Sequence, residues 1–87
     1  MAMVGIGYGN YVAADKIIAL VSVNSKPIRQ MIRDAREDGR LVDATVGKRT
    51  RSVLVMSSEQ IVLSANTVKT ILQRLTASPV VTTTEDD

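Results

Sequence analysis

Apolar residues along the chain fall in short runs separated by glycine, asparagine, serine or proline, and the spacing within each run decides what it forms. Residues 3–14 mix apolar side chains with Gly5, Gly7, Gly9 and Asn10, which predicts a short strand, a turn near Gly9 and Asn10, and a returning strand. Residues 17–23 are β-branched or apolar at almost every position, the pattern of a strand covered on both faces. Ser25 then precedes Lys26 and Pro27, a side-chain cap followed by a proline whose missing N–H is harmless in a first helical turn. Ile28, Met31, Ile32 and Ala35 follow at i, i+3, i+4, i+7, and Gly39 supplies a left-handed stop, so a helix is predicted over about 26–38. Residues 41–46 and 51–56 read as two strands joined through residues 47–50 as a hairpin. A short strand over 60–64 follows. Asn66 is the expected cap of a second helix, whose Val68, Ile71, Leu72 and Leu75 repeat the same spacing.

These elements predict an α+β domain over residues 1–75, with a small, mostly antiparallel sheet of four to five strands and two short amphipathic helices. After Leu75 the periodicity ends. Residues 76–87 are rich in threonine, contain Pro79 and finish with Glu85, Asp86 and Asp87, the composition of a disordered acidic tail. Two short helices are expected to fall short of covering both faces of such a sheet. A neighbouring copy would supply the rest, and a domain of this size, with neither disulfide nor metal, commonly gains stability by oligomerising.

Composition narrows the chemistry. The chain has no cysteine and no histidine, which removes the thiolate nucleophile, the usual general base and the usual ligands of zinc, copper or iron, and no cofactor is expected. Its carboxylates fall mostly in turns or on a solvated helix face; Asp34 and Asp38, one turn apart, lie beside Arg33 and read as surface charge. The net charge of +2 hides an uneven distribution, because residues 1–75 carry eleven Lys/Arg against six Asp/Glu. That excess favours an anionic partner. Two tyrosines and no tryptophan or phenylalanine give no stacking platform for unpaired bases, so duplex is favoured over single strands. No apolar run is long enough to span a bilayer, and residues 1–14 carry no cation and do not read as a signal peptide; a cytoplasmic protein is expected, without membrane or small-molecule substrate.

Gly5, Gly7 and Gly9 lack the long following helix of a dinucleotide-binding loop and read as turn glycines. Lys48, Arg49 and Arg51 put three cations in four residues. Such a cluster suits phosphate oxygens or a guanine edge, and equally a solvated turn. Arg29, Arg33 and Arg36 form a stripe interleaved with Asp34, Glu37 and Asp38, which suits a solvated or subunit-bridging face as well as a further nucleic-acid contact.

The segments Gly7-Tyr8-Gly9-Asn10, Ser25-Lys26-Pro27-Ile28-Arg29, Asp34-Ala35-Arg36 and the block from Leu41-Val42-Asp43-Ala44-Thr45 through Val46-Gly47-Lys48-Arg49-Thr50-Arg51-Ser52-Val53, with Val62-Leu63-Ser64, resemble the RemA family. The resemblance runs in order from about Val4 to Leu75. It implies a DNA-binding transcription activator of biofilm-matrix genes that assembles as a homo-oligomeric ring and contacts double-stranded DNA through residues matching Lys16, Lys48, Arg49 and Arg51. Pro27 matches a position important for fold or assembly. Lysine stands at 16 and 48 where arginine is more usual, which keeps the charge and loses the bidentate fork. The competing expectation is a non-catalytic oligomeric scaffold for acidic protein partners.

Overall fold

The computed structural model describes residues 2–77. Its elements are β1 (Met3–Gly7), β2 (Asn10–Ala13), a single 3-10 turn (Ala14–Lys16), β3 (Ile17–Ser22), α1 (Lys26–Glu37), β4 (Leu41–Asp43), β5 (Ser52–Met56), β6 (Ile61–Ser64) and α2 (Val68–Thr76). The fold is α+β with two helices, as expected. Its six strands divide into two sheets, however, an antiparallel β1–β2 hairpin and a four-stranded sheet in the order β3-β5-β6-β4. α2 extends through Thr76; the remainder of the expected tail, residues 78–87, lies outside the described residues.

The expected hairpin between residues 41–46 and 51–56 does not form. β4 pairs in parallel with β6, Leu41 opposite Ile61 and Asp43 opposite Leu63, and β6 separates it from β5. Burial explains the order. All four residues of β6 are buried, which demands a central position, whereas β4 exposes Val42 and Asp43 and suits an edge. Residues 44–51 are therefore a crossover loop. The Asp43 carboxylate turns the chain off the sheet by accepting from the Thr45 N–H (2.9 Å) and hydroxyl (2.6 Å).

The sheet carries a core on each face. α1 lays Ile28, Met31, Ile32 and Ala35 against Val53, Ile61 and Leu63. It starts as expected, with the Ser25 hydroxyl accepting from the Ile28 N–H at 3.4 Å and Pro27 in the first turn. It ends at Gly39, whose φ of 73° lets the Arg40 N–H fold back onto the Ala35 carbonyl at 2.8 Å. On the other face Leu54, Met56 and Val62 meet Ile71 of α2 and Ile6 of the β1–β2 hairpin. Each face thus carries a core within one chain, with the hairpin as a third covering element that the sequence expectation left out, while Ile18 and Val42 on the two edge strands stay exposed. On α2, Leu72, expected inside, is 50% exposed. β3, expected to be covered on both sides, is an edge strand with Ile18 68% exposed.

Candidate nucleic-acid interface

Strand directions place the loops. β3 and β6 end, and β5 begins, at one end of the four-stranded sheet, where Ser22, Ser52 and Ser64 lie side by side. The same end receives the C-terminus of β4. Three connections therefore emerge together: residues 23–25 into α1, residues 44–51 into β5, and residues 65–67 into α2. The β1–β2 turn joins them, since the Asn10 side-chain amide donates to the carbonyls of Gly7 (3.0 Å) and Ala44 (3.4 Å).

This end is cationic. Lys48, Arg49 and Arg51, which the sequence singled out, are all exposed here on the crossover loop. Arg51 is fixed in direction because its N–H donates to the Ser64 carbonyl at 2.8 Å. Lys26 stands at the first position of α1 and Lys69 in the first turn of α2, and neither helix has an acidic residue in its first turn. Two helix N-termini, each carrying positive partial charge, thus open at the same end of the sheet, one on each face. Arg29 lies on the adjoining turn of α1, its guanidinium donating to the Asn24 carbonyl at 3.1 Å. Against these six cations stands Asp43, whose acidity is increased first by the Thr45 hydroxyl and N–H bonds and then by the positive charge of Arg36. Lys26 and Lys69 escaped the sequence reading because each is isolated in the chain; the signal was that both helices follow strands ending on the same side.

Two expected residues lie apart from this cluster. Lys16 precedes β3, where Ile17 pairs with Met56, at the opposite end of the sheet. Five residues of β5 separate that level from Arg51, about 17 Å at the rise of a strand. That end of the sheet carries Asp15, Asp38 and Glu59 against Lys16 and Arg40, and Arg40 is paired with Asp38 at 2.9 Å. Arg33 lies midway along α1, its guanidinium bound to Gln30 at 2.6 Å and Gln30 in turn to Asp34 at 2.9 Å, so a surface network occupies it. Pro27 is at the start of α1, exposed.

No helix among the described residues is long and apolar enough to cross a membrane. The sequence is 49% identical over 73 residues to the extracellular matrix regulatory protein A of Bacillus subtilis, covering 84% of this chain and 82% of that one. It is 50% identical over 78 residues to a Geobacillus kaustophilus protein, 90% of each chain, and 51% identical over 75 residues to one from Symbiobacterium thermophilum, 86% of this chain and 79% of that one. Residues 3–75 match the RemA-like family, described as extracellular matrix regulatory protein A-like, and with these relatives the chain belongs to that family of bacterial regulatory proteins.

Proposed function

We propose that this chain is a non-catalytic transcriptional regulator that binds double-stranded DNA on the nucleoid, in the cytoplasm, and acts on extracellular-matrix genes as a ring-shaped homo-oligomer that bends the duplex. The observation carrying this reading is the convergence at one end of the sheet of Lys26, Arg29, Lys48, Arg49, Arg51 and Lys69 with two helix N-termini free of first-turn acids. Phosphate oxygens are the ligand that such a surface suits best, since cations and oriented N–H groups both favour negative charge. Lys16, about 17 Å away along the sheet axis, is a second contact for a duplex that continues past the cluster. That spacing corresponds to about five base-pair steps.

One subunit with a handful of phosphate contacts binds weakly, and repetition around a closed ring raises affinity without new chemistry. Exposed apolar residues favour the assembly: Met3, Tyr11, Ile18, Val42 and Leu72 are between 42% and 68% exposed. A duplex curved around such a ring draws specificity from its deformability, because bending a site costs on the order of 1–6 kcal/mol depending on sequence.

The test is binding to a duplex across a salt series, in which the logarithmic slope is expected near −0.9 per phosphate neutralised. Replacing Lys48, Arg49 and Arg51 by alanine should flatten the slope with the oligomer unchanged. Absence of binding at low salt overturns the reading and leaves the scaffold for acidic proteins in its place.

A further inference from the structure

Two turns at the cationic end share an unusual build. In the β1–β2 turn Tyr8 has φ of 55° and Gly9 of 79°; in the turn from Thr45 to Lys48, closed by the Lys48 N–H to the Thr45 carbonyl at 2.9 Å, Val46 has φ of 54° and Gly47 of 78°. Turns with two positive φ angles favour Asn-Gly or Asp-Gly, because a short polar residue tolerates the left-handed region. A β-branched or bulky residue there is strained. Here the first position holds a tyrosine and a valine, and their side chains stand in solvent, 56% and 62% exposed. Packing within the subunit accounts for neither. Among the described residues the remaining non-glycine with positive φ, Glu59, lies at the opposite end of the sheet.

The two turns are held together by Asn10, whose amide bridges the Gly7 and Ala44 carbonyls. The Thr45 turn is further anchored by Asp43. Both side chains are therefore presented by rigid backbone at the sheet end where Lys48, Arg49 and Arg51 follow Val46 on the same loop. An apolar projection beside cations is complementary to an apolar feature recessed between phosphates. In duplex DNA that feature is the C5-methyl group of thymine in the major groove. The β1–β2 turn is about 5 Å across its paired strands and the Thr45–Lys48 turn less than about 7 Å between its ends, so side by side they suit the major groove of about 12 Å and overfill the minor groove of about 6 Å.

We infer that Val46 and Tyr8 are specificity-determining residues that contact thymine methyl groups while the neighbouring cations hold the phosphates. This inference rests on the duplex-binding reading above and adds the element that distinguishes one sequence from another.

The test compares an A·T-containing duplex with the same duplex carrying deoxyuridine for thymidine, for the full chain and for Val46→Asn and Tyr8→Asn, which suit the left-handed backbone. Val46→Gly checks that asparagine introduces no new base contact. The full chain should lose about fourfold in affinity for each methyl removed from contact, and the variants should lose correspondingly less between the two duplexes. Equal discrimination by the full chain and all variants overturns the inference and leaves duplex binding intact, as does indifference of the full chain to the methyl. A variant that changes the oligomer instead, by light scattering, reassigns the tips to a subunit contact and also overturns it. Failure of the full chain to bind either duplex is the separate failure of the underlying reading.

Discussion

The Ser64 hydroxyl donates to the carbonyl of Ile6 at 2.7 Å in the interior, joining the β1–β2 hairpin to the end of β6 across 58 positions of sequence. The same oxygen accepts from the Asn66 N–H at 3.0 Å, so one buried side chain satisfies two backbone groups. Ser64→Ala leaves both without a partner, and a buried unsatisfied group costs about 1–3 kcal/mol. A loss of about 2–4 kcal/mol is expected by urea denaturation, with Ser58→Ala, on the exposed turn between β5 and β6, changing stability by no more than about 0.5 kcal/mol.

Asp43 makes the crossover loop sensitive to acid. Its carboxyl titrates below the ordinary 3.8 because Thr45 donates two hydrogen bonds to the charged form. A depressed folded value means that Asp43 contributes fully to stability above 3.8 and loses the contribution as pH falls from there through the lower folded value. Asp43→Asn should therefore be less stable than the parent at neutral pH, and the difference should close in denaturation series taken progressively below pH 3.8. A difference independent of pH would remove the carboxylate from this role.

How much of this was legible in the sequence depended on range. Local signals located the helices well: Ser25, Pro27 and Gly39 mark the ends of α1, and the glycines mark the first hairpin. Thr67 caps α2 in place of the expected Asn66, whose side chain instead accepts from Arg74 at 2.7 Å. Strand order was not legible, because residues 41–56 have the composition of a hairpin whether or not another strand intervenes. The parallel insertion of β6 is decided by burial of residues 61–64, a tertiary preference. The same crossover keeps Lys48, Arg49 and Arg51 together, as neighbours in sequence must be, yet only the fold shows that Lys26 and Lys69 join them and that Lys16 does not.

That distribution separates two classes of charge change. Lys26→Glu and Lys69→Glu should each weaken duplex binding and lower the magnitude of the salt slope by about 1 or more, although neither belongs to the cluster visible in sequence. Arg40→Ala should leave the slope unchanged. It should instead lower stability, since its guanidinium holds the Glu59 carbonyl at 2.9 Å and Asp38. A change in slope for Arg40→Ala in proportion to its smaller change of charge would show that net charge alone governs binding.

The turn carrying Val46 should be easier to stabilise than to preserve in function. Val46→Gly relieves a β-branched residue at φ 54°, and a gain of up to about 1 kcal/mol in unfolding free energy is expected, offset in part by the larger entropy of the unfolded glycine chain. Gly47→Ala places a Cβ at φ 78° and should lose about 1 kcal/mol, although open space surrounds it. If Val46→Gly destabilises, the side chain makes a folded-state contact that its exposure does not reveal.

On the proposed reading, assembly links this fold to tight binding. A groove of about 570 Å³ runs between the β1–β2 hairpin and the β4 side of the sheet, lined by Tyr11, Val42, Met56 and Val62 with Lys16 at its margin. Tyr11 and Val42 are 64% and 42% exposed, while the core beneath them is complete without them. Val42→Glu should therefore leave the monomer folded, by circular dichroism, and shift its mass in light scattering toward one subunit. Duplex affinity should fall with it by about a hundredfold or more, because linked contacts become independent ones. An unchanged mass would move the subunit contact to the other exposed apolar edge, where Ile18 stands on β3. Retention of full affinity by a true monomer would separate binding from assembly altogether.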